Sequence, residues 1–308
     1  MKKVFGLIIV LLFIAAIAAF IVPKPLSKNT VESNLTVTVS TFALYDAVIN
    51  IARDYAKVGM VVPFGVDIHT YEPTPRDMIR IEKSDLFIFN GAGLEPWTKM
   101  FKGGNRRIDM SRYVSLLEGQ NHKKGDHLHD HGGVDPHYWL DIENMIKVAD
   151  KIEEALIELL GKSTAADIHK NAEQYRKSLG ILDGLFQKRL SSCRLDTIVV
   201  SHNAFAYMGR RYGFHIKALS GLSPDAMPSA KTVAELADMV RKKGIKVVFY
   251  ESFVSDRLIQ SVAKESGARV EMLQPLANIT AKEAKQFQDY RLIMNMNLKK
   301  LRMALECR

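Results

Sequence analysis

Apolar and polar residues follow two different rhythms along this chain, and the switches between them mark out the elements. Residues 35–40 (Leu-Thr-Val-Thr-Val-Ser) alternate with period two, which predicts a strand. Residues 45–57 carry apolar side chains at helical spacing, and 58–63 form a short apolar run that reads as a buried strand. A loop containing Gly65 follows. Thr74-Pro75-Arg76-Asp77 then reads as a helix start, with Thr74 as the cap, proline where its missing N–H costs nothing, and an acid at the third helical position. Residues 86–90 (Leu-Phe-Ile-Phe-Asn) are another buried strand. Strands alternating with helices imply a parallel sheet with crossover helices.

The rhythm stops at 119–134, which is rich in Gly, His and charge and has no packing face, so it reads as a mobile loop. Residues 142–190 are almost wholly helix-forming. Gly161 ends one helix, with Ser163 or Thr164 capping the next. The second helix, about residues 165–191, would run roughly 40 Å at 1.5 Å per residue, long enough for a rigid spine. Alternation then resumes, with strands at 197–201, 215–219, 246–250 and 269–273. Helices begin near Ser229 and at a Ser255 cap, and Thr280 with Glu283 forms a capping box. The predicted fold class is α/β, two Rossmann-like lobes with parallel sheets joined by a long rigid helix. The expected division is a leader over 1–22, a linker over 23–34, an N-terminal lobe over 35–162, a connecting helix over 163–192 and a C-terminal lobe over 193–308. The 308-residue length leaves room for two buried cores.

Lys2 and Lys3 precede an apolar run from Val4 to Val22, and Ala16-Ile17-Ala18 has the small-x-small pattern of a cleavage site. The run also suffices to span a bilayer if retained. Cleaved signal peptide and membrane anchor both stay open, and either places the body of the protein outside the cytoplasm. No cysteine follows the run until Cys193, so lipid attachment at a cysteine there is not expected. Cys193 and Cys307 are the only two cysteines, and could form a disulfide in that compartment or remain isolated thiols. No CxxC motif exists to build a thiolate metal site. The formal net charge is +9, yet bases are scattered among acids, as with Arg76, Arg80 and Lys83 among Asp77, Glu82 and Asp85. No basic stripe with interleaved aromatics is present, which argues against nucleic acid as a partner.

The candidate chemistry lies in three histidines, each in a short polar motif beside an apolar run: His69 in Val-Asp-Ile-His-Thr-Tyr-Glu-Pro-Thr-Pro, His137 in Asp-Pro-His-Tyr-Trp-Leu-Asp, and His202 in Val-Val-Ser-His-Asn-Ala-Phe. In open α/β sheets ligands sit beyond the carboxyl ends of strands, so distant loops can meet at one point. Neutral imidazole is a good zinc donor, and three of them can hold one ion. Glu251, at the tip of another strand, would face the same cleft. A second group, His122, His127, His129 and His131, sits in the 119–134 loop, where it could collect zinc only weakly because ordering the loop costs entropy.

Taken together, residues 69–75 (His-Thr-Tyr-Glu-Pro-Thr-Pro), 90–97 (Asn-Gly-Ala-Gly-Leu-Glu-Pro-Trp), 135–141, and 201–205 with Tyr212-Gly213 resemble the zinc and manganese substrate-binding proteins of ABC transporters (cluster 9, class A-I). The match is collinear from about residue 35 to 305. The resemblance implies two lobes joined by a long helix, metal held between them, and delivery to a membrane permease powered by an ATPase. The protein itself would act as a periplasmic or cell-surface monomer. It maps the three family histidine positions onto His69, His137 and His202. Manganese-selective members usually carry a carboxylate at the third position, so His202 and the His-rich loop resemble the zinc type, with Mn2+ as the alternative cargo. The chain departs from the family where many members have a ligating aspartate and this one has Gln274, which leaves water, Gln274 or Glu251 as candidates for the fourth position. It also has Ile68 where the family often has proline. Two other readings use the same residues. One is a zinc hydrolase with Glu251 as general base, against which no His-Glu-x-x-His motif is found. The other is an adhesin-like surface protein of the same fold.

Overall fold

The computed structural model describes residues 34–101, 106–119, 133–222, 228–253, 255–286 and 289–308, and residues 33–308 form one compact unit. The leader and most of the linker lie outside the described residues, as does the His-rich stretch 120–132 with its four histidines.

Two four-stranded sheets organise the chain. The first contains β1 (Thr36–Val39), β2 (Lys57–Met60), β3 (Leu86–Phe89) and β4 (Arg106–Asp109) in the order β2-β1-β3-β4, all parallel. The second contains β7 (Thr197–His202), β8 (His215–Ser220), β9 (Val247–Tyr250) and β10 (Arg269–Met272) in the order β10-β9-β7-β8, again parallel. Parallel strands are covered on both faces, which is why β3 reads Leu-Phe-Ile-Phe and β9 reads Val-Val-Phe-Tyr rather than alternating. β5 (Leu117–Glu118) and β6 (Val134–Asp135) form a two-stranded antiparallel pair.

Local signals set the helix boundaries. α1 (Phe42–Ala52) starts three residues before the apolar periodicity suggests, because Thr41 accepts from the Leu44 N–H and fixes the first turn. α2 (Pro75–Lys83) begins with the full Thr74/Asp77 capping box, and α8 (Ala281–Lys285) with the Thr280/Glu283 box. α3 (Ile142–Leu160) ends at Gly161, whose φ of 83° only glycine adopts at little cost. α4 (Ala165–Leu190), the expected spine, has Thr164 at its cap position, but the threonine hydroxyl donates back to the Gly161 carbonyl instead of capping. α5 (Ala206–Tyr212), α6 (Ala230–Lys243), α7 (Arg257–Ser266) and α9 (Tyr290–Leu305) complete the helices among the described residues. Asp256, not Ser255, occupies the α7 cap position, although the Arg257 N–H still reaches the Ser255 hydroxyl at 3.4 Å.

The packing differs from two separate cores. One continuous apolar cluster takes Val37, Leu44 and Ile88 from the first half, Phe186 from the spine, and Ile198, Phe249 and Leu301 from the second. α9 returns from the end of the chain to pack on both α4 and β7, which carries the core across the lobes. Each sheet then has its own smaller cluster, Val61, Ile81, Phe87, Trp97 and Phe101 in the first half and Val199, Leu236, Val240, Val248 and Ile259 in the second. The cysteine question resolves as a disulfide between Cys193 and Cys307, beside an Arg194 N–H bond to the Glu306 carbonyl and a Leu195 N–H bond to that of Leu305. It fastens the segment after the spine to the end of the chain.

Candidate metal centre

All three sequence-predicted histidines meet. Their donor nitrogens lie within 4.8 Å of one another, and their ring centroids are separated by 5.4, 5.6 and 5.4 Å. His137 Nε2 and His69 Nε2 are 3.4 Å apart. Two donors at roughly 2.0–2.1 Å from a tetrahedral ion lie about 3.3 Å apart, so this pair already has the spacing of a tetrahedral edge.

Each histidine is placed by a different local device. His69 follows β2 in an irregular loop anchored by buried Ile68, and its backbone N–H donates to Asp67 Oδ1 at 3.0 Å. His137 is fully buried, and Asp135 Oδ1 accepts from its backbone N–H at 2.9 Å while lying 2.8 Å from ring Nδ1. A carboxylate on Nδ1 keeps the proton there and turns the Nε2 lone pair toward the other rings. The Asp135-Pro136-His137 turn is itself held by Asn90, whose Nδ2 donates to the Pro136 carbonyl at 3.1 Å, and by Tyr138, whose hydroxyl donates to the Asn90 carbonyl.

His202 is the last residue of β7. Its backbone N–H and the Ser201 hydroxyl both donate to Glu251 Oε1, and its Nδ1 lies 2.5 Å from Glu251 Oε2. Nε2 is buried and has no hydrogen-bond partner among the described residues, as a nitrogen reserved for a cation would. Burial pushes the His202 pKa down, but Glu251, with smaller pulls from Asp67 and Asp135, more than reverses this and leaves it above its ordinary value.

The two side-chain candidates for the fourth position stand outside the cluster of three donor residues. Glu251 lines the cavity, but it is not among the side chains whose donor atoms cluster, and its oxygens are engaged by His202 and Ser201. Gln274 is buried away from the lining: its Oε1 accepts from the Ser252 hydroxyl and the Leu276 N–H, and its Nε2 donates to Glu283. Asp135 and Asn278, which also shape the site, carry no signal of their own in the sequence beyond proximity to a histidine or a turn. Phe253, next to Glu251 in the cavity wall, holds φ 74°, a conformation a bulky side chain adopts only under constraint.

The 90–97 motif works one layer back. Glu95 accepts from the Asn90 and Gly91 N–H groups at 2.9 Å each, and burial raises its pKa to about 7. Gly91 is required, since its φ is 79° and a Cβ there would stand 1.9 Å from Asp109 Oδ1.

With this geometry in hand, the comparisons are decisive on kinship. The family described as "ZnuA: Zinc-uptake complex component A periplasmic" matches residues 37–304. The chain belongs to this family. The zinc-binding lipoprotein AdcA of Streptococcus pneumoniae is 30% identical over 301 residues, covering 94% of this chain and 60% of AdcA. The chain thus spans about three-fifths of that relative's length. The high-affinity zinc uptake system protein ZnuA of Bacillus subtilis is 28% identical over 288 residues, covering 91% of this chain and 90% of ZnuA. Among solved structures, the Zn(II)-bound ZnuA-like domain of S. pneumoniae AdcA superposes with a TM-score of 0.74 at 29% identity, over 88% of this chain and 99% of that domain. The laminin-binding protein Lmb of Streptococcus agalactiae, described as bifunctional with adhesin and metal transporting activity, gives 0.75 at 25% identity, over 88% and 99%. The two-lobed α/β architecture is therefore that of the ZnuA family.

Proposed function

We propose that this protein captures Zn2+ outside the cytoplasm and presents it to the membrane permease of an ABC transporter for uptake. The observation that carries the reading is the convergence of His69, His137 and His202, with donor nitrogens within 4.8 Å, from three separate stretches of the chain. In this reading the three imidazoles are the protein's ligands to the ion, and Asp135 and Glu251 orient two of them from behind. One chain supplies all three donors, so capture needs no second copy. An all-nitrogen set favours zinc over manganese, the alternative cargo. The zinc-binding and zinc-uptake names of the relatives and the periplasmic description of the family support the same cargo and location. Among the described residues no helix is long and apolar enough to cross a membrane. In this reading the N-terminal lobe spans 35–162, the connecting helix 163–192 and the C-terminal lobe 193–308.

A hydrolase has less support, because Glu251 is engaged by His202 and Ser201 rather than held toward a substrate. Surface adhesion is a second reading, favoured by the likeness to Lmb and compatible with metal capture. The test is a competition titration of metal-stripped protein with zinc and manganese against a calibrated chelator. One tight zinc equivalent with manganese much weaker is expected. Equal or tighter manganese binding would refute the selectivity, and no tight site would leave adhesion as the better account.

A further inference from the structure

Residues 275–279, a turn in the second half of the chain, cross to the first half through several hydrogen bonds that land beside the histidine loops. The Trp139 indole N–H, two residues after His137, donates to the Pro275 carbonyl at 2.7 Å. The Phe42 N–H donates to the Ala277 carbonyl, and the Gly65 N–H to the Ile279 carbonyl, each at 2.9 Å. Asn278 Nδ2 donates both protons, to the Pro63 carbonyl at 2.7 Å and to the Val66 carbonyl at 2.8 Å. Its Oδ1 accepts from the Ile279 N–H at 2.8 Å, which fixes which end of the carboxamide faces the loop. Asn278 is 2% exposed and lies in the wall of the histidine cavity, and Leu276 at φ 61° bends the stretch into place.

Pro63, Gly65 and Val66 form the approach to His69, which is the most exposed of the three histidines and sits in a stretch with no regular hydrogen-bond ladder of its own. The structure assigns Asn278 as a positioning residue: it latches the His69 loop to the second lobe, fixes His69 against His137 and His202, and must open for an ion to leave. The last part rests on the metal-binding reading above. The chemistry is specific to a carboxamide. Two uncharged donors on one nitrogen satisfy two carbonyls at once, whereas an aspartate of the same shape would set a single oxygen against both. Preorganising a ligand loop in this way slows release without adding any contact to the ion.

Intact wild type, Asn278→Asp and Asn278→Ala would be compared by hydrogen exchange in the metal-free state and by zinc dissociation into excess chelator. Both variants are expected to raise amide exchange across residues 64–71 by about tenfold or more, with β9 and α6 unchanged as internal evidence of folding. Both are expected to release zinc at least about tenfold faster. Unchanged exchange in the loop would overturn the latch. Exchange rising equally in β9 and α6 would overturn it too, by making Asn278 a general fold residue. Tighter zinc binding by Asn278→Asp would overturn it by making position 278 a ligand. A wild type without tight zinc, but with the loop effect present in the variants, would remove the metal-binding reading while the latch itself stood.

Discussion

Glu251→Gln separates a carboxylate that orients His202 from one that binds the ion. In the folded protein Oε1 accepts from the His202 backbone N–H and the Ser201 hydroxyl, and Oε2 faces His202 Nδ1. A carboxamide can satisfy one of these sides only. With its NH2 on the first side it meets the backbone N–H, and on the second it meets the Nδ1–H that a metal-bound Nε2 requires. Loss of such a supporting partner lowers metal affinity by about 10–100-fold, or about 1.4–2.7 kcal/mol. The pH dependence adds a second signature. Glu251 is the main group holding the His202 pKa above its ordinary value against burial. Below that pKa a proton competes with the metal for the imidazole, and each pH unit costs about tenfold in apparent affinity. The variant lacks the main upward pull, so burial is opposed only by the smaller pulls of Asp67 and Asp135 and the proton competes less. Zinc affinity by chelator competition is therefore expected to fall about 10–100-fold at pH 8, with the gap to wild type narrowing at pH 6. A loss of many orders of magnitude, constant across pH, would make Glu251 a direct ligand and refute this account. So would no loss at pH 8.

Three further outcomes are expected. Replacing Cys193 and Cys307 by serine should lower the stability of the metal-free protein by about 2–4 kcal/mol in denaturant melts, because the bond closes a long loop, while zinc affinity stays unchanged; a large loss of affinity would tie the disulfide to the site. Asp46 accepts from the Tyr175 hydroxyl and the Tyr290 N–H, and burial raises its pKa from 3.8 to about 6, so its contribution to stability is full below about pH 4 and is lost as the pH rises through about 6, some 3 kcal/mol in all. Asp46→Asn should flatten urea-melt stability between pH 4 and 8, and an unaltered slope would refute the assignment. Deleting residues 121–131 should leave the tight zinc site intact and lower the total zinc bound, and loss of the tight site would place the His-rich stretch within it.

What could be read from the sequence was what is local. Both capping boxes, the buried strands β3, β7 and β9, and the Gly161 break depend on neighbours within four residues, and the structure has each of them. β4 escaped because Arg-Arg-Ile-Asp offers one apolar side chain, as an edge strand with little buried surface can. α5 escaped because seven residues are too few to show a period. The three histidines stood out because each adjoins a strand-like run. The partners that place them did not, since Asn278 contacts residues more than 200 positions away and the disulfide spans 114. The shared core was hidden for a related reason: apolar periodicity tells which face is buried and not which element buries it.

The donor set and the charge around it follow different rules at this site. Three neutral imidazoles give a divalent ion no compensating charge, which by itself makes a cation costly to bury. Asp135 and Glu251 stand one imidazole behind His137 and His202, so negative charge lies close while the donor atoms themselves remain nitrogen. A carboxylate moved forward into contact would neutralise the ion equally well but would offer a hard oxygen, the donor manganese accepts more readily. Gln274 stands where the family resemblance leads us to expect an aspartate, and its amide is turned to Ser252 and Glu283. In the proposed reading, selectivity then depends on keeping carboxylates one imidazole ring removed from the ion. Gln274→Asp alone should therefore shift the zinc-to-manganese preference only if the Ser252 and Glu283 contacts also let the new carboxylate turn toward the histidines.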